Sequence, residues 1–127
     1  MNFPDTSPPH AADWSDVAEL QKRMADTVRE MDSLADEVGL ARQVREFSSD
    51  QRKRALARAM QAALAGGESA AKAEAEARGS DTYGKELEIL SRQLTAAEQI
   101  IAKWDVLKIT WESVRSMLAM QREATKL

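Results

Sequence analysis

The sequence has no cysteine, a single histidine, three prolines and five glycines in 127 residues, and aromatic residues make up only 5% of it. Each scarcity excludes something. Without cysteine there can be no disulfide framework, no thiolate zinc site and no thiol nucleophile, which suits a reducing compartment. The one histidine, His10, follows Pro8 and Pro9, where no neighbouring element would orient it as a base or a ligand. No Glu-x-x-His pair offers a carboxylate metal site between helices. The only adjacent glycines, Gly66-Gly67, lack the lysine and the preceding strand of a phosphate loop. Val, Ile, Thr and Tyr never cluster with alternating polarity, so no strand is expected. The N-terminus lacks the basic start and apolar core of a signal peptide. No apolar run approaches the roughly 18–20 residues that span a bilayer. These absences together predict a cytoplasmic protein that is not an enzyme, with no metal, no cofactor and no membrane span.

What is present is helix-forming. Apolar residues are 43% and charged residues 31% of the chain, rich in Ala, Glu, Arg, Leu and Gln. The last third organises the rest. From Asp81 to Leu127 there is no proline and no glycine after Gly84, and Tyr83, Leu90, Ala97, Trp104, Trp111 and Leu118 recur every seven residues. That period keeps one seam facing a partner helix over many turns. As one helix the segment would be about 66–70 Å long at about 1.5 Å per residue. Leu87, Leu94 and Ile101 flank the seam in its first half, and Ile100, Leu107 and Val114 in its second. The apolar band therefore changes side near Ile100-Ile101, as a straight helix drifting against a heptad repeat would require.

Ahead of it, residues 1–14 read as a Pro-rich arm bracketed by Phe3 and Trp14. A first helix is expected over about 15–47, capped by Asp16 with Glu19. Its apolar track runs Val17, Leu20, Met24, Met31, Leu34, Val38 and Ala41, interrupted by Thr27. Gly39 inside it marks either a close crossing or a weak point. Ser48-Ser49-Asp50 reads as a break and restart, because each side chain can cap a new helix. A second helix should then span 50–65 and end at Gly66-Gly67. A short exposed helix or connector over 69–78 should end at Gly79, and Ser80-Asp81 should cap the long helix, 81–126. Glu19 with Arg23, and Glu88 with Arg92, have the four-residue spacing of helix-surface ion pairs. The fold class this predicts is all-α: one domain over 15–127 forming an elongated antiparallel helical hairpin or coiled coil, with a long C-terminal helix and shorter middle helices. On these lengths the last helix outreaches the first, so its exposed remainder should meet a second copy.

The net charge of −3 argues against a generic, strongly basic nucleic-acid binder, yet the charge is unevenly placed. Residues 1–41 carry nine acids and three bases, whereas 42–58 carry six bases and two acids. Arg42, Arg45, Arg52, Lys53, Arg54 and Arg58 form the basic block. At the start of a second helix, positive charge would oppose the helix dipole. Arg52, Lys53, Arg54 and Arg58 are therefore candidates to contact phosphates or an acidic protein surface, with a solvated helix face as the alternative. Trp104, Lys108, Trp111 and Arg115 share one helix face. They could stack nucleic-acid bases, or the tryptophans could be core residues covered by the cation stems. Both tryptophans lie on the heptad seam. Trp104, Leu107, Trp111, Val114, Met117 and Leu118 are accordingly the candidate protein interface.

The run Ala55-Leu56, then Ala62-Ala63-Leu64-Ala65-Gly66-Gly67-Glu68-Ser69-Ala70-Ala71-Lys72-Ala73-Glu74, Ala77-Arg78, Tyr83 and Leu87 carries a resemblance. So does the ending Trp111-Glu112-Ser113-Val114-Arg115-Ser116-Met117 with Arg122-Glu123. Over about 55–123 the chain resembles small helical proteins of unassigned function from tailed bacteriophages and prophages. These are often encoded among early genes for recombination and single-strand binding. The resemblance implies no catalytic residues. It implies a phage-type protein in a bacterial cytoplasm; together with the exposed seam this predicts a homo-oligomeric interaction protein with an unknown protein partner, or alternatively, from the basic block, an accessory nucleic-acid binder in phage recombination or replication.

Overall fold

The computed structural model describes residues 16–126, so the arm with Phe3, His10 and Trp14 lies outside the described residues. The fold is all-α: α1 (Val17–Ala65), α2 (Ala70–Arg78) and α3 (Asp81–Thr125), with the two long helices antiparallel and a short helix between them. Asp16 caps α1 by accepting the Ala18 N–H at 2.9 Å.

The expected break at Ser48-Ser49-Asp50 does not occur, and α1 runs for 49 residues without interruption. Ser48 turns its hydroxyl back to the Arg45 carbonyl at 3.0 Å instead of capping a new helix. Packing explains why the helix goes on. Leu20, Thr27, Leu34, Ala41, Ser48 and Ala55 are spaced every seven residues, and each of them is buried or half-buried. Serine and aspartate are weaker helix formers than alanine by only a few tenths of a kcal/mol each. Stopping the helix would require a new nucleus and would forfeit that register. A second expectation falls with the first: at 45 residues α3 is shorter than α1 and does not outreach it.

The end of α1 is as anticipated. Gly67 takes φ = 95°, a left-handed conformation that a Cβ would strain. It places the Gly67 N–H on the Leu64 carbonyl at 3.0 Å and the Glu68 N–H on the Ala63 carbonyl at 3.3 Å, which satisfies two terminal carbonyls of the helix. Ser80 joins the end of α2 to the start of α3. Its hydroxyl donates to the Ala77 carbonyl at 2.8 Å and accepts the Tyr83 N–H at 3.3 Å.

The chain gathers into two compact units. Of the described residues, one takes 16–35 together with 103–126, and the other takes Asp36–Ala102. The division on α3 falls between Ala102 and Lys103, one residue past Ile100-Ile101, where the apolar band changes side. In the first unit, Leu20 and Val114 are fully buried and Leu118 nearly so, with Met24 and Met117 packed around them. Full burial of one such aliphatic side chain is worth about 1.5–3 kcal/mol.

The second unit is built from small residues. Ala41, Ala97 and Ile101 form its cluster with Ile100 against it, and Ala55, Ala73, Ala77 and Tyr83 are also buried. α2, expected as a short exposed helix or connector, is a helix but buries Ala73 and Ala77, four residues apart on one face. A search for large apolar groups misses such a face, because alanine buries little area but lets backbones approach closely. Arg45–Glu98 at 3.8 Å and Arg58–Glu86 at 3.2 Å cross between α1 and α3. Numbers that rise on one helix fall on the other, as the antiparallel arrangement demands. Being exposed, each pair contributes at most about 1 kcal/mol. The pairs Glu19–Arg23 and Glu88–Arg92 form as their spacing suggests, at 3.7 and 2.7 Å.

Gly39 is exposed, and a Cβ built there meets nothing within 4 Å. It marks no close crossing, only a weak point in α1. Gly39→Ala should therefore raise stability by about 1 kcal/mol through helix propensity, read as a higher denaturant midpoint at unchanged slope. A loss of stability would show that a neighbour uses that space.

Candidate interaction surface

Of the six residues expected to meet another chain, Val114 and Leu118 are covered by Leu20 of the same chain, and Met117 packs on that cluster. They are core residues and not a free face. Trp104, Leu107 and Trp111 are half-buried. The Arg115 guanidinium stands 5.3 Å from the centroid of the Trp111 ring, a cation–π contact that covers a face which base stacking would need.

The basic block is divided as well. Arg45 and Arg58 are engaged by Glu98 and Glu86, while Arg42, Arg52, Lys53 and Arg54 are exposed. Because α1 is continuous, these cations sit in a helix interior and not at an N-terminus. The dipole argument for an external anion falls away, since that effect is confined to the first and last turns.

Large apolar groups are exposed elsewhere. In the unit made of Asp36–Ala102 they are Leu40, Val44, Phe47, Leu64 and Ile89, with Leu40 63% and Phe47 50% accessible. A groove of about 330 Å³ runs beside Val44 and Phe47, closed on the other side by Leu90 and Gln93 of α3. The sequence of α1 makes this groove. Its inward seven-residue track shrinks from Leu34 to Ala41, Ser48 and Ala55, and the companion track passes from Val38 to Arg45 and Arg52. Of these residues Ser48 lines the groove, a small side chain beside Val44, Phe47 and Gln51 of the same helix. In the other unit Val106, Ile109 and Met120 are exposed on α3.

Sequence reasoning passed over Leu40, Val44 and Phe47 because it followed only the stripe of Val17, Leu20, Met24, Met31, Leu34, Val38 and Ala41 and ended that helix at about Phe47. The missing signal was the register itself. In one unbroken helix Glu37, Leu40, Val44, Phe47, Gln51 and Arg54 are spaced alternately by three and four residues, a second stripe of α1 separate from the buried one. All six are exposed.

Among the described residues no group of three acidic or histidine side chains could hold a metal ion, and no helix is long and apolar enough to cross a membrane. No protein-family model, no curated protein and no solved structure matches this chain.

Proposed function

We propose that this is a non-enzymatic helical interaction protein of bacteriophage type, working as a homo-oligomer in the cytoplasm of a bacterial host. The observation that carries the interaction reading is the exposure of Leu40, Val44 and Phe47 together beside an unfilled groove. Contiguous exposed apolar surface of this kind marks association sites. Self-association links stability to concentration. A hundredfold rise in chain concentration should raise the melting midpoint by about 5 °C for a dimer of this size. A midpoint independent of concentration would remove the homo-oligomer.

A nucleic-acid role would rest chiefly on Arg52, Lys53 and Arg54, the cations of the predicted contact set that, among the described residues, no carboxylate engages. It is the weaker reading, because Arg58 is paired with Glu86 and a face of Trp111 is covered. Its signature would be binding to DNA that collapses with salt, at a logarithmic slope of about −0.9 per phosphate neutralised. Apolar helix pairing has no such dependence.

A further inference from the structure

We propose that α1 pairs antiparallel with α1 of a second copy through the stripe Glu37, Leu40, Val44, Phe47, Gln51 and Arg54. This rests on the self-association reading and gives it a surface, an orientation and a register. Read along the helix, the stripe runs acid, three apolar residues, amide, base. Laid against its own reverse it is complementary at its two ends and at its centre. Glu37 faces Arg54, Leu40 faces Gln51, and Val44 faces Phe47, with a two-fold axis between Val44 and Phe47. Both outer contacts are then ion pairs and both central ones apolar, which is the self-complementarity a two-fold interface requires. A parallel arrangement in the same register would set Glu37 on Glu37 and Arg54 on Arg54, so charge selects the antiparallel one.

The geometry is consistent. From Glu37 to Arg54 the stripe spans about 25 Å of helix, and its alternating spacing is that of a coiled-coil seam. The whole stripe lies in the unit made of Asp36–Ala102. Among the described residues neither Glu37 nor Arg54 takes part in an ion pair, unlike Arg45 and Arg58. The groove beside Val44 and Phe47 gives the second copy's Phe47 ring somewhere to settle, next to Leu90. Aromatic anchors seated in such pockets dominate association energies.

The test is sedimentation velocity of the full chain and four variants, each first shown by circular dichroism to keep its helix content. Phe47→Arg should weaken self-association about thirtyfold or more. Glu37→Arg and Arg54→Glu should each weaken it several-fold, by placing like charges at both ends of the interface. An equimolar mixture of those two variants should associate as well as the native chain, because each reversed charge then faces the other. A mixture no better than its components would overturn the antiparallel register. If the native chain associates but only Met120→Arg dissociates it, the surface is the exposed face of α3; the α1 proposal falls and self-association stands. If the native chain is monomeric, both fall.

Discussion

Asp50→Pro should destabilise the protein by about 3 kcal/mol or more. In one unbroken α1, residue 50 lies deep in the helix interior. Proline there removes the hydrogen bond to the carbonyl of Glu46 and drives its ring against that carbonyl. Had a second helix begun at residue 50, behind a serine cap, the same substitution would fall at the first helical position, where proline is well tolerated. The two architectures thus predict opposite outcomes from one change. Denaturant unfolding reads the difference directly, and a midpoint close to that of the native chain would mean that α1 is two helices. The substitution should also disturb self-association, since Phe47 and Arg54 stand on either side of the kink.

Leu20→Ala should cost about 2–5 kcal/mol, a large share of the roughly 5–15 kcal/mol that holds a domain folded. Leu20 is fully buried and is the α1 side chain at the centre of the cluster with Val114 and Leu118. Its removal leaves a cavity against Val114, which is also fully buried. The loss should be felt where those contacts are. Amide hydrogen exchange should accelerate over 17–35 and 103–125, the segments of that unit, by more than over 36–102. Unchanged protection near the start of α1 and the end of α3 would show that the cluster does not hold them.

Much of this fold was legible in the residues. The seven-residue tracks of α1 and α3 identified the helices and their buried sides, and Leu20, Val38, Ala41, Ala97, Ile101, Val114 and Leu118 are buried as their spacing implies. The ends at Gly67 and Ser80 followed from local chemistry, a left-handed glycine and a hydroxyl cap. The failure at Ser48-Ser49-Asp50 has a definite cause. Capping chemistry is a local preference, worth about 1 kcal/mol per cap, and it was weighed without the opposing helix. The register that runs from Leu20 through Ser48 to Ala55 is a cooperative property of about five heptads and outweighs it.

That error also shaped the choice of candidate surface. With α1 cut short, α3 looked longer than its partner, and Val114 and Leu118 looked free to meet another chain. Leu20, near the start of α1, covers them, and the continuity of α1 extends the stripe of Leu40, Val44 and Phe47 to Gln51 and Arg54. Trp104 and Trp111 lie on the seam and are half-buried. The alanine face of α2 left no trace in the pattern of large apolar residues, because Ala73 and Ala77 are indistinguishable in type from the exposed alanines around them.

The central claim is that the seam of Val114 is satisfied within one chain while the stripe of Val44 awaits a second. A chain without native cysteine allows a clean measurement of both. Single variants Val114→Cys and Val44→Cys are titrated with a thiol-reactive dye as the chain is diluted. The thiol at position 114 should resist labelling at every concentration. The thiol at position 44 should label freely in dilute solution and become protected as the chain is concentrated. Dilution-dependent protection at position 114, with position 44 reactive throughout, would contradict the account.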